Sequence, residues 1–454
     1  MSEDWHDRLG RNPLLLPPHL RMTNGSEKML AFLAERRVTE RLPAAELARR
    51  QGAVLYDLAR HAAAHSPHFA RRLAGAGLTP STLAEPGGLA KLAPLTRREL
   101  VNAGDALFCH AYPASHGALS STTTSGSTGE PVTVRRTSWS EAHWLTDTLR
   151  EHLWHDRDFS GRLAASRANL SEPMDIPDWG PPCNLILRTG PWSGMPAAYS
   201  VEAHCRWLGE FEPDYLLALP SSLAGIVAEL DRTGQRLRRL RGVRTLSETV
   251  QPRLREEVRR VLGVGIDDMY TSQECGVMAT QCPEEGSYHV SEMMLLEVVD
   301  SAGRACGAGE VGRILVTALA NYATPIIRYE IGDYAEVGAP CRCGRGLPTI
   351  RRFLGRERNL ALLPDGSRHW PLVGFHRWGE VFPVRQFQFV QLDRKTILAR
   401  MSAHGQPSPE QLARLTAIIQ EELRHPFEIR YEWHETALPR GPGGKFEEFL
   451  CRAE

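Results

Sequence analysis

The middle of the chain, from about residue 140 to 265, alternates helix-like patterns with short β-like runs, and this alternation constrains the fold more than any other feature. One helical segment, PRLREEVRRVLG, begins at Pro252, and proline suits the first position of a helix. The strand-like DDMYTSQECG follows it. Strands that alternate with helices usually belong to a sheet with parallel strands. The pattern therefore predicts an α/β architecture with partly parallel sheets.

The segments on either side of this region have different patterns. Residues 55 to 74 carry apolar residues at intervals of three and four, which predicts a helix. Residues 293 to 337 contain MLLEVVD, GRILVTAL and PIIRYEI, which are typical of successive strands in a β-rich subdomain. The last hundred residues show the order strand, strand, helix, strand, and Ser408, Pro409 and Gln411 form a capping-box signature where that helix begins. We expect a smaller C-terminal unit there.

Composition excludes several classes of protein. The 454 residues include 54 Lys and Arg against 54 Asp and Glu, and a formal charge of zero gives no field that would attract nucleic acid or an anionic membrane. Apolar stretches are too short to span a bilayer, and the N-terminal MSEDWHDRLGRNPLLLPP resembles neither a signal peptide nor a transit peptide. We expect a cytoplasmic protein without nucleic-acid or membrane partners. Its nine cysteines are then expected to be packing residues, metal ligands or nucleophiles.

A loop rich in Ser, Thr and Gly is predicted between Ala118 and Thr128, followed by a strand at PVTV. Within it begins TSGSTGEPV, from Thr124 to Val132, whose glycines permit tight turns and whose hydroxyl and N–H groups suit phosphate oxygens. The segment lacks the Gly-Lys-Ser/Thr of a Walker loop. From composition alone, a flexible polar linker explains it equally well.

TSGSTGEPV resembles the phosphate-binding loop of the adenylate-forming superfamily, which includes acyl-CoA synthetases and the adenylation domains of peptide synthetases. The resemblance assigns nucleotide binding to the residues that match this loop: Thr124, Ser125, Gly126, Ser127, Thr128 and Gly129. Many members carry a lysine after the Gly-x-Pro, whereas this chain has Val132. Phosphate contact would then depend on the backbone and the hydroxyl groups.

Two further segments resemble motifs of the superfamily in the expected order. In YTSQECG, Tyr270 matches the aromatic residue that lies against adenine, and Glu274 matches the carboxylate that holds Mg²⁺ near the α-phosphate. A metal ion there neutralises the charge that develops on phosphate oxygens. Thr271 stands where a glycine is common and would narrow the adenine slot. In RYEIGD, Asp333 matches the aspartate that accepts hydrogen bonds from the ribose hydroxyls.

Three shorter matches complete the set. GRER resembles the Gly-Arg-x-Asp hinge, with Arg356 as the arginine that reaches the nucleotide and Arg358 at the hinge position where Asp is usual. LPRGPGGKF resembles the C-terminal loop that delivers a catalytic lysine, here Lys445, to the carboxylate and the α-phosphate. A mobile cation suits that step because it can bridge both anions and then withdraw. Ser247 and Glu248 lie where relatives contact adenine.

Cysteine and histidine residues in two turn-rich segments supply ligands suited to tetrahedral Zn²⁺, namely Cys282, His289, Cys341 and Cys343. From the spacing alone a second interpretation stays open, in which the cysteines are buried packing residues and the histidine is unrelated to them. TQCPEEGSYHVSE and CRCGRGLP resemble segments of the phenylacetate-CoA ligase and CapK-like branch, in which such groups can hold a structural metal. The resemblance favours zinc that braces the β-rich subdomain and takes no part in catalysis, with Cys275 as a rival ligand.

The resemblance covers the chain from about residue 50 to its end and implies a domain plan. The fold class is α/β, with a large N-terminal adenylate-forming domain of layered sheets over 1–354. A β-rich, zinc-bearing subdomain lies within it at about 280–350. A hinge at 355–359 joins it to a small mobile α+β C-terminal lid domain at 360–454.

The implied activity is ATP-dependent activation of a carboxylic acid, with aryl or arylacetic acids favoured through the phenylacetate branch. Pyrophosphate leaves, and the acyl-adenylate passes its acyl group to coenzyme A, which releases AMP. The expected partners are the small-molecule acid, ATP with Mg²⁺, and coenzyme A, and a homodimer stays open. Two alternatives also stay open: an amide synthetase, in which an amine captures the acyl-adenylate, and a catalytically silent adenylate-binding scaffold.

Three further segments carry weaker signals. The basic run at 232–244 could meet the phosphates of coenzyme A, although such a run is more often a solvated helix face. Trp192 to Pro196 and Pro220 to Gly225 are candidates for the acyl pocket from their position alone.

Overall fold

The computed structural model describes residues 24–123, 131–356, 360–366, 368–369, 381–436, 438–439, 446 and 448–453. Its helices are α1 (Asn24–Thr39), α2 (Ala44–His65), α3 (Pro67–Gly75), α4 (Pro80–Ala84), α5 (Arg97–Asn102), α6 (Ser138–Trp154), α7 (Val201–Phe211), α8 (Pro220–Thr233), α9 (Pro252–Leu262) and α10 (Pro409–Glu422). Short 3₁₀ turns lie at Leu89–Lys91, Gly104–Leu107, Ala114–His116 and Cys183–Leu185.

The strands are β1 (Leu119–Thr123), β2 (Thr133–Thr137), β3 (Leu163–Arg167), β4 (Met174–Ile176), β5 (Trp192–Pro196), β6 (Tyr215–Ala218), β7 (Gly242–Leu246), β8 (Ile266–Ser272), β9 (Gly276–Gln281), β10 (Tyr288–Val290), β11 (Met294–Val299), β12 (Val311–Ala318), β13 (Tyr329–Val337), β14 (Thr349–Arg356), β15 (Ala361–Leu362), β16 (Arg368–His369), β17 (Val384–Gln391), β18 (Thr396–Ala403), β19 (Glu428–His434) and β20 (Phe449–Cys451).

Within the described ranges, twelve strands form one mixed sheet in the order β11-β12-β13-β14-β10-β9-β8-β7-β6-β3-β5-β4. The neighbours β5, β3, β6, β7 and β8 run parallel to one another. From β8 to β11 every neighbouring pair is antiparallel. The strand pairing therefore changes from parallel to antiparallel at the β8–β9 turn. The predicted α/β fold with partly parallel strands and a β-rich part is confirmed.

Helices α8 and α9 connect consecutive parallel strands, and the same residue types, proline and glycine, stand at their two ends. Each begins with proline, Pro220 or Pro252, whose missing N–H costs no helical hydrogen bond at that position. Each is followed by a glycine with positive φ, 71° at Gly234 and 73° at Gly263, a conformation that residues with a Cβ rarely adopt. Both helices pack on the parallel strands in one core. The predicted helix at PRLREEVRRVLG is confirmed.

A separate four-stranded sheet, in the order β19-β18-β17-β20, lies in the C-terminal part of the chain. Helix α10 covers it, and Phe389, Leu415 and Ile419 belong to a core of their own. The predicted capping box is present, because Ser408 Oγ accepts from the Gln411 N–H at 3.2 Å and Gln411 Oε1 accepts from the Ser408 N–H at 2.9 Å. The predicted order of strand, strand, helix and strand is confirmed, and β20 adds a strand to it.

The structure differs from three local predictions. Residues 119–123, predicted as loop, form β1, because antiparallel pairing with β2 satisfies their backbone groups. The helix predicted over 55–74 is two helices, because Ser66 caps α3 and Pro67 cannot continue the hydrogen bonding of α2. In PIIRYEI the strand begins only at Tyr329, since Arg328 has a φ of 52°, which is incompatible with a strand.

Candidate active site

Side chains that follow three neighbouring parallel strands meet at one edge of the large sheet. Ser221 follows β6, Glu248 follows β7 and Glu274 follows β8. These strands are adjacent and parallel, so that their carboxyl ends lie side by side. Ligands of open α/β sheets bind outside the carboxyl ends of the strands, where the topology changes. The β8–β9 turn, at which the sheet becomes antiparallel, lies at this carboxyl edge.

Three residues predicted to bind the nucleotide lie together beside this edge. The Tyr270 hydroxyl donates to Asp333 Oδ2 at 2.7 Å, and Arg356 Nε lies 3.4 Å from Asp333 Oδ1. Asp333 and Arg356 are paired across β13 and β14. Burial and the charge of Asp333 hold the pKa of Tyr270 well above its ordinary value, so that the hydroxyl remains a donor.

The Tyr270 ring also stacks on Phe353, with centroids 3.8 Å apart and an angle of 18° between the planes. Phe353 lies on β14, three residues before Arg356. One face of Tyr270 is thereby occupied, and an adenine ring would have to lie against the other face. Thr271, beside it on β8, faces Val277 across the β8–β9 pair.

Glu274 lies in the β8–β9 turn and is 8% exposed. Its Oε1 is 3.6 Å from Nη1 of Arg97, the first residue of α5. Cys275 follows it, and burial together with the Glu274 charge raises the pKa of the Cys275 thiol to about 12. Cys275 is therefore a neutral packing thiol in this environment.

Glu248 accepts hydrogen bonds from three groups in two parts of the chain. The N–H and Oγ of Ser221 donate to it at 2.9 and 3.1 Å, and the N–H of Phe446 donates at 3.0 Å. Its neighbour Ser247 has a φ of 73°. Burial and the Glu248 charge raise the pKa of Glu448 to about 7. Glu248 thus links the start of α8 to the C-terminal segment beside Glu448.

The predicted cysteine and histidine ligands converge. Cys282 follows β9, His289 lies on β10, and Cys341 and Cys343 precede β14, and these three strands are neighbours in the sheet. One ligand atom from each of the four residues lies within 4.8 Å of all the others. The Sγ atoms of Cys282 and Cys341 are 3.8 Å apart, and Cys343 Sγ is 3.2 Å from His289 Nε2. Cys275 is not part of this group.

The spacing of these four side chains fits a tetrahedral metal. Zn–S bonds of about 2.3 Å place two sulfurs of a tetrahedral site about 3.8 Å apart. Three thiolates and one Zn²⁺ leave a net charge of −1, and the Arg345 guanidinium interacts with the Cys343 thiol. Arg345 is itself buried and lies 4.2 Å from the centre of the Trp154 ring. Donor set, geometry and charge are therefore compatible with zinc.

A second group of potential metal ligands consists of Glu151, His155 and Asp267, whose ligand atoms also lie within 4.8 Å of one another. Its carboxylates are already neutralised, because Arg157 lies 2.7 Å from both Glu151 and Asp267. Arg244 lies 2.9 Å from Glu151. Two guanidinium groups at this distance are typical of a buried ion network and not of a cation site.

Several predicted residues lie outside the described part of the chain: Thr124, Ser125, Gly126, Ser127, Thr128, Gly129, Arg358 and Lys445. The described residues on either side of the first segment belong to β1 and β2, and Thr123 is paired with Thr133 across these strands. Val132 is buried in the core of the antiparallel part.

The basic run at 232–244 is largely engaged with carboxylates of the same chain. Arg239 pairs with Asp214 at 3.1 Å and Arg241 with Asp158 at 3.0 Å. Arg232 likewise pairs with Glu229 in α8. These contacts support the interpretation of the run as a structural surface.

Comparison with known proteins gives relatives of one kind. The chain is 23% identical over 317 residues to a phenylacetate-coenzyme A ligase of Aromatoleum evansii, covering 67% of this chain and 69% of that protein. It is 26% identical over 329 residues to the Escherichia coli protein of the same name, covering 67% and 70%. A third match, 28% identical to the Thermus thermophilus ligase, spans only 36% of that protein. No family model matches the chain.

Solved structures share the fold over nearly the whole chain. A 2-hydroxyisobutyryl-CoA ligase in the postadenylation state has a TM-score of 0.72 at 16% identity and covers 91% of both chains. The same ligase in the thioesterification state, with coenzyme A, has a TM-score of 0.60 at 17% identity and covers 92% of both. The chain therefore has the fold of this CoA ligase. The resemblance predicted from the motifs is thereby confirmed.

Some residues at this edge of the sheet were not predicted from the sequence. Phe353 offers a weak signal, as an aromatic residue just before the Gly355-Arg356 match. Arg136, His143 and Asn321 lie outside the matched motifs and line a cavity beside Glu274. Trp192 to Pro196, a candidate for the acyl pocket, forms β5. No helix in the described part of the ligase fold is both long and apolar enough to cross a membrane.

Proposed function

We propose that this chain activates a carboxylic acid with ATP and transfers the acyl group to coenzyme A. The observation that carries the proposal is the gathering of Tyr270, Asp333 and Arg356 beside Glu274, at the edge where the parallel strands end. The relatives are named phenylacetate-coenzyme A ligases, which favours an aryl or arylacetic acid.

The reaction has two balanced steps. A carboxylate oxygen of the acid bonds to the α-phosphorus of ATP, and the bond from that phosphorus to the pyrophosphate oxygen breaks. The thiol of coenzyme A then bonds to the acyl carbon, AMP leaves, and the thiol proton is released. In this scheme Asp333 and Arg356 hold the ribose side of the nucleotide, and Tyr270 orients Asp333 by its hydrogen bond. Lys445 and the loop from Thr124 to Gly129 are proposed to contact the reacting carboxylate and the phosphates.

Glu274 is proposed to hold Mg²⁺. Its carboxylate is buried at the strand edge, and one protein carboxylate together with substrate phosphates is a usual ligand set for this ion. When bound, Mg²⁺ neutralises charge on the phosphate oxygens.

Cys282, His289, Cys341 and Cys343 are proposed to hold a structural Zn²⁺. Four protein ligands leave no open coordination position, so the ion would brace β9, β10 and the loop before β14. Metal analysis of protein purified without added zinc should give about one equivalent, and Cys343→Ser should lose it. Well-folded wild-type protein without zinc would refute this assignment.

A two-domain arrangement follows as a proposal, with a large domain over 1–354, a hinge at 355–359 and a lid over 360–454. Its support is the separation of the two sheets and the separate core beneath α10. The hydrogen bond from the Phe446 N–H to Glu248 is then a contact between lid and large domain, next to Lys445.

Pyrophosphate release from ATP with a panel of carboxylic acids tests the proposal. At least one acid should support release, and thioester should form only when coenzyme A is added. Glu274→Gln keeps the side-chain size and should lower the rate by about 100-fold, while Glu256→Gln on the exposed face of α9 should not. Amide formed from an added amine without coenzyme A would favour the amide synthetase, and the lack of release with every acid would favour a silent scaffold.

A further inference from the structure

A small cavity lies beside Glu274, between α6, the β8–β9 turn and the segment that follows β12. Its volume is about 20 Å³. A cavity needs roughly 10–15 Å³ on this measure to hold one water molecule, so the space accepts one or two atoms and no aromatic ring. Three of its walls carry hydrogen-bond donors, on Arg136, His143 and Asn321.

Arg136, on β2, is 4% exposed. Its Nη1 donates to Thr122 Oγ1 at 3.3 Å, and its guanidinium carbon lies 4.9 Å from the centre of the Trp144 ring. These contacts fix the plane of the guanidinium. Its Nη2 is buried and has no acceptor among the described residues. A buried cation that lines the cavity therefore has one donor group without an acceptor in the described part of the chain.

His143, on α6, is also 4% exposed. Its Nδ1 lies 3.0 Å from Nη2 of Arg36. An arginine can only donate, so Nδ1 is the acceptor and the ring proton is on Nε2. Burial and the charge of Arg36 lower the pKa of His143 to about 3, so that the ring is neutral. The Nε2–H group is buried and has no acceptor in the described part of the chain.

Asn321, 3% exposed, follows β12. Its Oδ1 accepts from the N–H groups of Ala323 at 3.1 Å and Thr324 at 3.0 Å. Two donors on one side of the amide fix which atom is the oxygen. The NH₂ group is therefore on the other side, and it too is buried without an acceptor among the residues described.

We propose that Arg136, His143 and Asn321, here named the donor pocket, bind an oxygen substituent on the carbon next to the carboxylate of the substrate acid. The inference rests on the proposed function. Buried donors are normally satisfied, and three that face one cavity require an acceptor there. Glu274 lines the same cavity, which places the acceptor beside the reacting carboxylate. The preferred substrates are then 2-oxo and 2-hydroxy acids, and an arylacetic skeleton carries this substituent without entering the cavity with its ring.

Matched acids test the donor pocket. Pyrophosphate release is measured with phenylacetate, mandelate and phenylglyoxylate, and with butyrate, 2-hydroxybutyrate and 2-oxobutyrate, under identical ATP and Mg²⁺. In each series both oxygenated acids, the 2-hydroxy and the 2-oxo acid, should have a kcat/KM at least tenfold above that of the plain acid. Equal values within both series would overturn the donor pocket and leave the proposed function standing. No release with any of the six acids or with a broader panel would contradict the proposed function itself.

Asn321→Asp is the sharpest variant, because it keeps the oxygen that accepts from Ala323 and Thr324 and replaces the donor by an acceptor. The ratio of kcat/KM between oxygenated and plain acid should fall at least fivefold. This ratio cancels losses of folded protein, which lower both values alike. Asn102→Leu, at the exposed end of α5, should leave the ratio unchanged. Arg136→Met should reduce the ratio in the same direction, and an unchanged ratio in both pocket variants would refute the assignment.

Discussion

Arg36→Met is expected to destabilise the protein strongly, because Arg36 is one of three cations that neutralise three buried carboxylates. Arg36 is 1% exposed, its Nε donates to Asp147 Oδ1 at 3.0 Å, and it lies 3.5 Å from Glu292 Oε2. Arg150, the second cation, lies 3.3 Å from Asp147 and 2.8 Å from Glu292. Methionine fills much of the same volume, so the variant removes charge and leaves only a small cavity.

The size of the expected loss in free energy of unfolding follows from the charges that Arg36 balances. In the wild type three cations, Arg36, Arg150 and Arg345, face three buried carboxylates, Asp147, Glu292 and Glu40. The variant keeps two of the cations and all three carboxylates, so that one buried carboxylate is uncompensated. Removing one partner of a buried ion pair costs about 3–5 kcal/mol. That is a large part of the roughly 5–15 kcal/mol by which a typical protein is stable.

The loss should also depend on pH. Burial raises the pKa of Asp147, but Arg36 and Arg150 lower it more, and the net pKa lies below the ordinary value. A lowered carboxyl pKa contributes stability that is present above the unfolded pKa and is lost as the pH falls through the folded pKa. Without Arg36 the pKa of Asp147 rises, and protonation relieves part of the penalty. The difference between variant and wild type should therefore be larger at pH 8 than at pH 5.

Urea denaturation of the full chain, followed by tryptophan fluorescence at both pH values, measures this difference. Arg232→Met is the matched control, because Arg232 is 70% exposed in its pair with Glu229 and such a pair contributes at most about 1 kcal/mol. Arg36→Lys should recover part of the loss, since it restores the charge but not the planar donor geometry. A loss no larger than that of the control would refute the reasoning about the buried network.

Two further variants test other parts of the structure. Glu448→Gln should remove a pH-dependent loss of stability. The pKa of Glu448 is raised to about 7, so wild-type stability is full below pH 4.5 and falls as the pH rises through 7. Thermal denaturation between pH 5 and 8.5 should show wild type losing at most about 3 kcal/mol relative to the variant, and parallel curves would contradict the raised pKa of Glu448. Gly346→Ala should lower the free energy of unfolding by about 1–3 kcal/mol, because the added Cβ would lie 1.9 Å from the backbone oxygen of Leu42. Gly265→Ala is the control, because its added Cβ would have nothing within 4 Å. Equal denaturation midpoints for the two variants would show that the loop before β14 shifts freely.

The nucleotide residues could be chosen from the sequence because each lies in a short segment that resembles a motif of the adenylate-forming superfamily. Tyr270, Asp333 and Arg356 were predicted one by one, and the structure places both Tyr270 and Arg356 against Asp333. The cysteine and histidine set was predicted in the same way, although its spacing left Cys275 as a rival. Only the pairing of β9, β10 and β14 removes that alternative, because it places the four chosen ligands together.

Local patterns were least reliable where tertiary pairing opposes them. The Ser- and Thr-rich residues of β1 read as loop, and become a strand because β2 lies beside them. The helix over 55–74 divides at Ser66-Pro67, which the periodicity of apolar residues does not show.

By itself the sequence determined the α/β class and most of the order of strands and helices, because these depend on periodicity. The candidate residues for ATP came from short contiguous segments that resemble motifs of a known superfamily. Only the tertiary structure decided which buried groups have no acceptor among the described residues. The donors of Arg136, His143 and Asn321 come from β2, α6 and the segment after β12, and they share a cavity only because those elements pack around Glu274. Whether a buried donor is satisfied is a property of its neighbours in space, which no local pattern records.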